Sequence, residues 1–545
     1  MTVTTKYFVT FQIGQSSPDE ALTSVLARRA RGERSTVSTR SVRARSLAAR
    51  CRRGLGRASV AVALSALLLL AACGSGGGGS TAAPTPASSG GTAAPGSGAT
   101  TDPGSTSSTT GSVSPNPTAG SAAATSADWP TYDRTAGRSG VSVTTPTFTS
   151  SSRLVKGWTG RVDGAVYAQP LVIGSKVVVA TENNSVYAFN SSTGRQLWMR
   201  HLGPTVTSGL ACAGNINPGG ITGTPVADVA TNRLFVVTFS PYRHTLWSLN
   251  LSTGATVDQR DADGPGSDAR AEQARGALAL ADGRVYIPYG GLFGDCGDYH
   301  GWVVSAPVSG TGPLVDYVTP NERQAGIWAP PGPVVGHGSV YVATGNGTPF
   351  NVIEDSDSVL RLSPKTLVVQ STFTPSDWLY LSSSDKDLDS TSPALLPGGL
   401  VLEIGKDGVA YVLGATRLGG VGGQLADAHV CSGGFGGDAV DGSTVVISCF
   451  DSLTAVKVTR SSPTAKPKIS VLWSAGVGAG PPVIAGGVVW DATRSNQLYG
   501  FRLSDGHAVF STDIATVVTS FPSLAVSKDQ LFVPEGREVV SYRGA

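Results

Sequence analysis

The stretch Tyr167–Trp198, YAQPLVIGSKVVVATENNSVYAFNSSTGRQLW, reads as one complete structural unit. Ala168-Gln169-Pro170 leads into the apolar Leu171–Ile173, and Gly174-Ser175 turns the chain. Val177–Thr181 is a run rich in β-branched residues, and Asn183-Asn184 turns the chain again. Ser185–Asn190 alternates polar with apolar side chains, and Thr193-Gly194 makes a third turn before a last strand ending in Trp198. Strands this short, punctuated this closely, describe an antiparallel meander and not a helix. One four-stranded meander cannot bury both of its faces, so copies of it must stack.

Copies do recur from Asp128 onward. Gly223-Thr224-Pro225 opens one containing RLFVVTF and TLWSLN, and Gly276-Ala277 opens another with RVYIPY and GWVVSAP. Pro331-Gly332-Pro333, Ser392-Pro393, Gly437-Asp438-Ala439, Pro481-Pro482 and Phe521-Pro522 introduce the rest. About eight copies at intervals of roughly 40–60 residues predict an all-β, eight-bladed β-propeller of four-stranded antiparallel blades. An open β-solenoid is the alternative. The last copy stops one strand short, while Leu154–Thr159 (LVKGWT) is a strand left over before the first. The early strand is therefore expected to complete the last blade, removing edges that would otherwise template aggregation.

A chain of 545 residues is long for one domain unless that domain is a repeat array. The 70 glycines and 14% charged residues suit an all-β protein full of tight turns. A formal charge of +3 is too small for this length to call for a nucleic-acid partner, and neither a basic helix nor an RNA-binding aromatic signature is present. A monomer is expected.

The N-terminus reads as an export signal. Residues 1–72 form an Arg-rich and Ser-rich leader that ends in the apolar run Val60–Ala72, too short to span a membrane. Leu70-Ala71-Ala72-Cys73 resembles the bacterial lipobox, which implies diacylglyceryl attachment at Cys73 and membrane anchoring on the extracytoplasmic face. An ordinary signal peptide with a chance Cys is the alternative. Residues 73–126 are almost only Gly, Ser, Thr, Ala and Pro, and cannot bury enough apolar surface to fold. As a flexible tether this linker has an r.m.s. reach of roughly 40 Å. The propeller is expected over 127–545.

Four cysteines follow the linker, and an even number in an exported domain reads as two disulfides. Cys431 and Cys449 flank the first two strands of one blade and form the preferred pair. Cys212 and Cys296 would then join loops of neighbouring blades. The six histidines are scattered without metal-site spacing, and most are expected at the surface or in loops.

The unit resembles the repeat of bacterial quinoprotein-type, PQQ-like propellers, whose blades end in an AlDaxTGxxxW pattern. Tyr187–Trp198 (YAFNSSTGRQLW) fits it closely, Leu249–Gly254 fits in part, and Asp128-Trp129-Pro130-Thr131-Tyr132 looks like the mature start of that superfamily. The resemblance implies a candidate site over three adjacent blades. Trp328 falls where quinoprotein dehydrogenases stack a Trp under pyrroloquinoline quinone (PQQ). Asn346, in Thr344-Gly345-Asn346, falls where that family has a Ca²⁺ ligand, and Asp295 lies near a second one, a Glu in the family. Asp389, ending Asp385-Lys386-Asp387-Leu388-Asp389, matches the acidic motif with the catalytic base. Lys406 matches the basic residue that contacts the quinone oxygens. With both groups bound, a hard cation would polarise the quinone and Asp389 would take the substrate's hydroxyl proton.

The departures from that family are specific. Its adjacent Cys-Cys pair is absent, and no Glu replaces the missing Ca²⁺ ligand. An EF-hand reading of the D-x-D-x-D run fails too, with Ser390 at the Gly position and Leu396 at the Glu position. The same repeat serves quinone-dependent dehydrogenases and non-catalytic assembly lipoproteins, so fold does not choose between them. The expected function is a cell-envelope lipoprotein acting as a non-enzymatic binding or scaffold module. It would hold an envelope protein or ligand at its funnel mouth and blade-connecting loops, with no cofactor. The alternative is a PQQ- and Ca²⁺-dependent dehydrogenase of alcohols or sugars.

Overall fold

The computed structural model describes residues 128–144, 153–518 and 520–544. The leader, Cys73 and the linker lie outside these residues. The organising stretch folds as read, into strands Leu171–Ile173, Lys176–Ala180, Ser185–Asn190 and Gln196–His201, hydrogen-bonded in that order. This is blade 1, and six further antiparallel sheets follow it. They are blade 2 (226–261), blade 3 (279–318), blade 4 (334–374), blade 5 (394–429), blade 6 (434–475) and blade 7 (483–513). Blade 8 takes three strands from 525–544, and its fourth is Leu154–Arg161, paired antiparallel with Glu538–Gly544. The ring therefore closes through the early strand, as expected.

The core is a set of layers between neighbouring blades. Leu171, Val178 and Ala188 of blade 1 pack with Leu234, Val236 and Leu249 of blade 2. Equivalent layers join each later pair, and one large cluster joins blades 7, 8 and 1. Each blade is apolar on both faces, which is why its strands read as near-continuous apolar runs.

The repeat's Thr-Gly and Trp positions meet across blades. Trp158 lies 2.7 Å from where a Cβ on Gly194 would stand, Trp198 2.5 Å from that on Gly254, and Trp473 2.6 Å from that on Gly506. Each indole thus sits on the turn of the next blade, and all three glycines have φ near +70°. The turn needs glycine twice, for its backbone angle and for the approach of the ring. Indole N–H groups complete the joint, Trp158 to Ser191 O at 2.8 Å and Trp473 to Leu503 O at 2.7 Å.

The segment 128–142 lies along the inner edges of the innermost strands. Trp129 pairs with Val172 of blade 1, Pro130 O accepts from Ala227 of blade 2, and Ala136 O accepts from Val335 of blade 4. Ser139 O accepts from Val440 of blade 6, and Gly140 O from Ile484 of blade 7. The Arg138 guanidinium, 3% exposed, donates to Leu278 O before blade 3, and Tyr132 bonds Ser523 before blade 8. The segment is a plug that satisfies backbone edges facing the channel, so they need no water there.

Antiparallel order fixes two faces. The second-to-third strand loops and the blade-to-blade connections share one face. The first-to-second and third-to-fourth turns share the other. Both expected disulfides are present, Cys212–Cys296 between the connection into blade 2 and a loop of blade 3, and Cys431–Cys449 between the connection into blade 6 and that blade's second strand. His244 departs from the surface expectation. It is fully buried, stacked on Phe239 with ring centroids 4.4 Å apart and bonded to Asp263 at 2.7 Å. Two other features have no counterpart in the repeat: the helix Trp378–Ser383 between blades 4 and 5, and a ribbon pairing Arg323–Gln324 with Gly347–Thr348.

Candidate functional site at the funnel mouth

Four of the five residues singled out from the sequence meet on the loop face of blades 3 to 5. Trp328 comes from the connection into blade 4, Asn346 from the loop after that blade's second strand, Asp389 from the connection into blade 5, and Lys406 from the turn after that blade's second strand. Each lies just before a first strand or just after a second one, the positions that border the channel.

Lys406 is the hub. Its ammonium bonds both Asp387 and, at 3.0 Å, Asp385, and it stands over the Trp328 ring, 5.5 Å from the centroid. Asn346 joins the same carboxylates through its backbone N–H to Asp387 Oδ1 at 2.9 Å and its Nδ2 to Asp385 Oδ1 at 3.2 Å. Asp389 Oδ2 accepts the Trp328 backbone N–H at 2.8 Å. A Cβ on Gly345 would lie 2.6 Å from Asp387 Oδ1 and 2.9 Å from Asp389 Oδ1, so only glycine lets the two carboxylates approach this strand. Asp295 stands at the rim. It accepts from Tyr299 Oη at 2.8 Å and feels the charges of Asp387 and Lys406.

Burial sets the protonation of the cluster. Burial alone would lower the Lys406 pKa, but the charges and hydrogen bonds of Asp387 and Asp385 outweigh it and hold the ammonium above the usual lysine range. Burial, with the Asp387 charge added, pushes Asp389 well above the usual carboxylate range, against the pull of the Trp328 N–H and Lys406. Asp357, also fully buried, is pushed up for the same two reasons.

Sequence reasoning missed Asp357 and the aromatic wall. Phe435 packs on Phe450 and Phe521 with centroids 4.7 Å away in each case, and Trp328 lies 6.2 Å from Phe435 and 6.3 Å from Phe521. The Arg275 guanidinium sits over Phe521 at 5.0 Å and that of Arg494 over Phe435 at 5.9 Å. Phe521-Pro522 was legible as a blade entry. A separate polar hollow, lined by Tyr242, Asp263, Asp268 and Arg270, lies on the blade 2 side, away from this cluster.

The residues present fit a PQQ and Ca²⁺ pair poorly. Four buried acceptors are left over in the cluster, Asn346 Oδ1, Asp389 Oδ1 and both oxygens of Asp357, whereas Ca²⁺ takes six to eight oxygens. Both Asp387 oxygens and one Asp385 oxygen are already engaged. Among the described residues no group of three or more His, Cys, Asp or Glu side chains is placed to hold a metal. A ring stacked on Trp328 needs about 3.5–4.0 Å of clearance, and on the face that Lys406 covers it would have to displace the ammonium.

Comparison with known proteins agrees with the fold. A family model described as outer membrane protein assembly factor BamB matches residues 156–352. The quinohemoprotein alcohol dehydrogenase of Pseudomonas putida HK5 superposes with a TM-score of 0.58 at 12% identity, over 77% of this chain and 80% of that one. The quinohemoprotein alcohol dehydrogenase of Comamonas testosteroni gives 0.56 at 15%, over 76% and 80%. A europium-containing methanol dehydrogenase gives 0.57 at 13%, over 75% and 90%. No curated protein matches the sequence. The chain is an eight-bladed β-propeller, similar over residues 156–352 to the family described as outer membrane protein assembly factor BamB.

Proposed function

We propose that this protein is a non-enzymatic binding or scaffold module of the cell envelope. It would be held to the extracytoplasmic face of the membrane by lipidated Cys73 and the 73–126 linker, and would engage a partner through its loop face. One observation carries the non-enzymatic reading. The Lys406 ammonium lies between Asp385 and Asp387 and over Trp328, where a cation and a stacked ring would otherwise be held. Asp389 is 0% exposed. A general base must come within hydrogen-bond reach of the proton it takes, and this carboxylate is closed off from solvent. The likeness to an assembly-factor family supports a binding role, and the two disulfides support an oxidising compartment.

The orphaned Asn346 Oδ1 and Asp389 Oδ1 favour the second reading, a quinone-dependent dehydrogenase. In it Asn346 and Asp295 would hold the cation, Asp389 would serve as the base, and Trp328 and Lys406 would hold the quinone, which would supply hydride acceptance. Calorimetric titration of the purified full-length chain with PQQ plus Ca²⁺ separates the two. The scaffold reading expects no saturable heat. Saturable binding lost in Lys406→Ala, together with dye-linked alcohol oxidation lost in Asn346→Ala, would establish the enzyme instead.

A further inference from the structure

The two faces of the propeller differ in a way the repeat does not require. Five segments make the loop face over blades 3 to 5: 292–301, 319–333, 344–358, 375–393 and 405–408. Together they hold eleven Asp and Glu, of which Asp357, Asp387 and Asp389 are buried and eight reach the surface, against three Lys and Arg, in a chain whose overall charge is +3. The corresponding loops of blades 6 to 8 hold two of each sign. The turns of the opposite face hold six Lys and Arg against three Asp and no Glu, and contain no Phe, Tyr or Trp at all.

The acidic segments form one continuous surface. Arg323 donates to Asp295 O at 2.8 Å, Asn321 to Ile353 O at 3.3 Å, and Asn346 to Asp385 at 3.2 Å, so each loop is tied to the next. On this surface large apolar side chains stand in solvent: Phe293 is 71% exposed, Tyr380 57%, Leu379 51% and Phe350 44%. Exposed acids alternate with them in sequence, Asp298 after Phe293, Glu354 after Phe350, and Asp377 just ahead of Leu379 and Tyr380. Leu379 and Tyr380 sit on the helix Trp378–Ser383, whose only buried residues are Leu381 and Ser382, so it gives most of its side chains to solvent. The outward Leu379 and Tyr380 do nothing for the propeller core.

We propose that this acidic, aromatic-fringed face docks a polypeptide segment carrying Lys or Arg between apolar side chains. The proposal rests on the binding-module reading above and names its partner's chemistry. Charge complementarity selects the partner's sign and speeds the encounter. The exposed aromatic and aliphatic side chains supply the desolvated contacts on which affinity depends. A lipid surface is the wrong occupant, because anionic headgroups repel a face with this excess of carboxylates.

The test uses the purified full-length chain and three labelled peptides: KLFKKLFKKLFK, its acidic counterpart ELFEELFEELFE, and the polar KSSKKSSKKSSK. Fluorescence anisotropy should show the first binding at least tenfold tighter than the other two, with affinity falling as salt rises. Phe293→Ser with Tyr380→Ser, and separately Glu354→Gln with Asp377→Asn, should each weaken it about tenfold. All four side chains are wholly or mostly at the surface, so the fold should survive, as an unchanged melting curve would verify. Equal binding of the acidic peptide, binding untouched by both variant pairs, binding only to lipid vesicles, or no binding of any probe would each overturn the proposal. A photo-crosslinking residue in place of Phe293 tests the same face in the envelope, with His337 on the opposite face as control. Capture at 293 supports the proposal only when the crosslinked partner peptide is basic. Failure here leaves the scaffold reading to the PQQ titration, which tests it independently.

Discussion

Replacing Lys406 with Met removes the one cation that the mouth carboxylates share. The Lys406 side chain is 16% exposed and that of Asp387 11%, so the pair is largely out of water, whereas Asp385, at 80%, is solvated and adds little. Removing one partner of a buried pair typically costs 3–5 kcal/mol, because the other charge stays buried without compensation. For a propeller of some 400 residues, an unfolding entropy of about 2.1 cal/mol/K per residue converts this to a fall of roughly 4–6 °C in Tm. The deficit should hold between pH 5 and 8, because the Lys406 ammonium of the parent stays charged throughout that range. In the parent the raised Lys406 pKa adds stability that is complete below the unfolded lysine value of about 10.4 and disappears only above it. It adds no slope of its own between pH 5 and 8. The assay is thermal denaturation at several pH values, with the exposed Lys457→Met as control. If Lys406→Met costs no more than Lys457→Met, the ammonium is not the hub of the site. A deficit that grows toward low pH would refute the charge argument itself.

Three further outcomes are expected. Gly174 and Gly194 both have positive φ, but a Cβ meets nothing at Gly174 and lies 2.7 Å from Trp158 at Gly194. Gly174→Ala should cost about 1–2 kcal/mol and Gly194→Ala a further 1–3 kcal/mol by denaturant titration; equal costs would remove the Trp–Gly joint from the account. Asp438 and Asp491 are fully buried and pushed up to about 8 by burial. Their folded forms keep protons that the unfolded chain loses near pH 4, so their stabilising share is complete below that value and lost as pH rises through about 8. Melting temperature should therefore fall between pH 5 and 8, and Asp491→Asn, which keeps an acceptor for the Gly480 N–H, should flatten that slope. Cys73→Ser should move the protein from the membrane fraction to the released fraction after export, and unchanged membrane retention would rule out the lipid anchor.

The blades were legible because each is a local object. Its turns, its β-branched runs and its closing Trp lie within some forty residues, and periodicity reads such patterns directly. The surplus strand Leu154–Thr159 and the incomplete last copy together exposed a contact spanning nearly the whole chain. The meeting of Trp328, Asn346, Asp389 and Lys406 was likewise accessible, since the repeat puts all four at blade ends facing the channel. Which aspartate Lys406 engages was not. Asp385, Asp387 and Asp389 are spaced by two, and only the short helical turn Leu388–Ser390 decides that Asp387 turns to the ammonium while Asp389 turns to the Trp328 N–H. The plug was hidden for another reason. DWPTYDRTAGRSGVS is short and polar, and its backbone groups bond strands far away in sequence, which leaves no period to detect.

The plug also dictates an order of assembly. It precedes the closing strand in sequence, and the strand's Arg161 meets Glu538 across 377 residues. A cord already lying along the inner edges of blades 1 to 7 need not be threaded through a finished ring, because the blades can gather around it as they emerge. Until the final strand is made, that gathering stays an open arc with an unpaired edge at each end. Nascent chains stopped before Glu538 should therefore be cut by protease at both edges, and chains carried past Gly544 should resist at both together. Closure would then act as the molecule's own report that the last blade has been made.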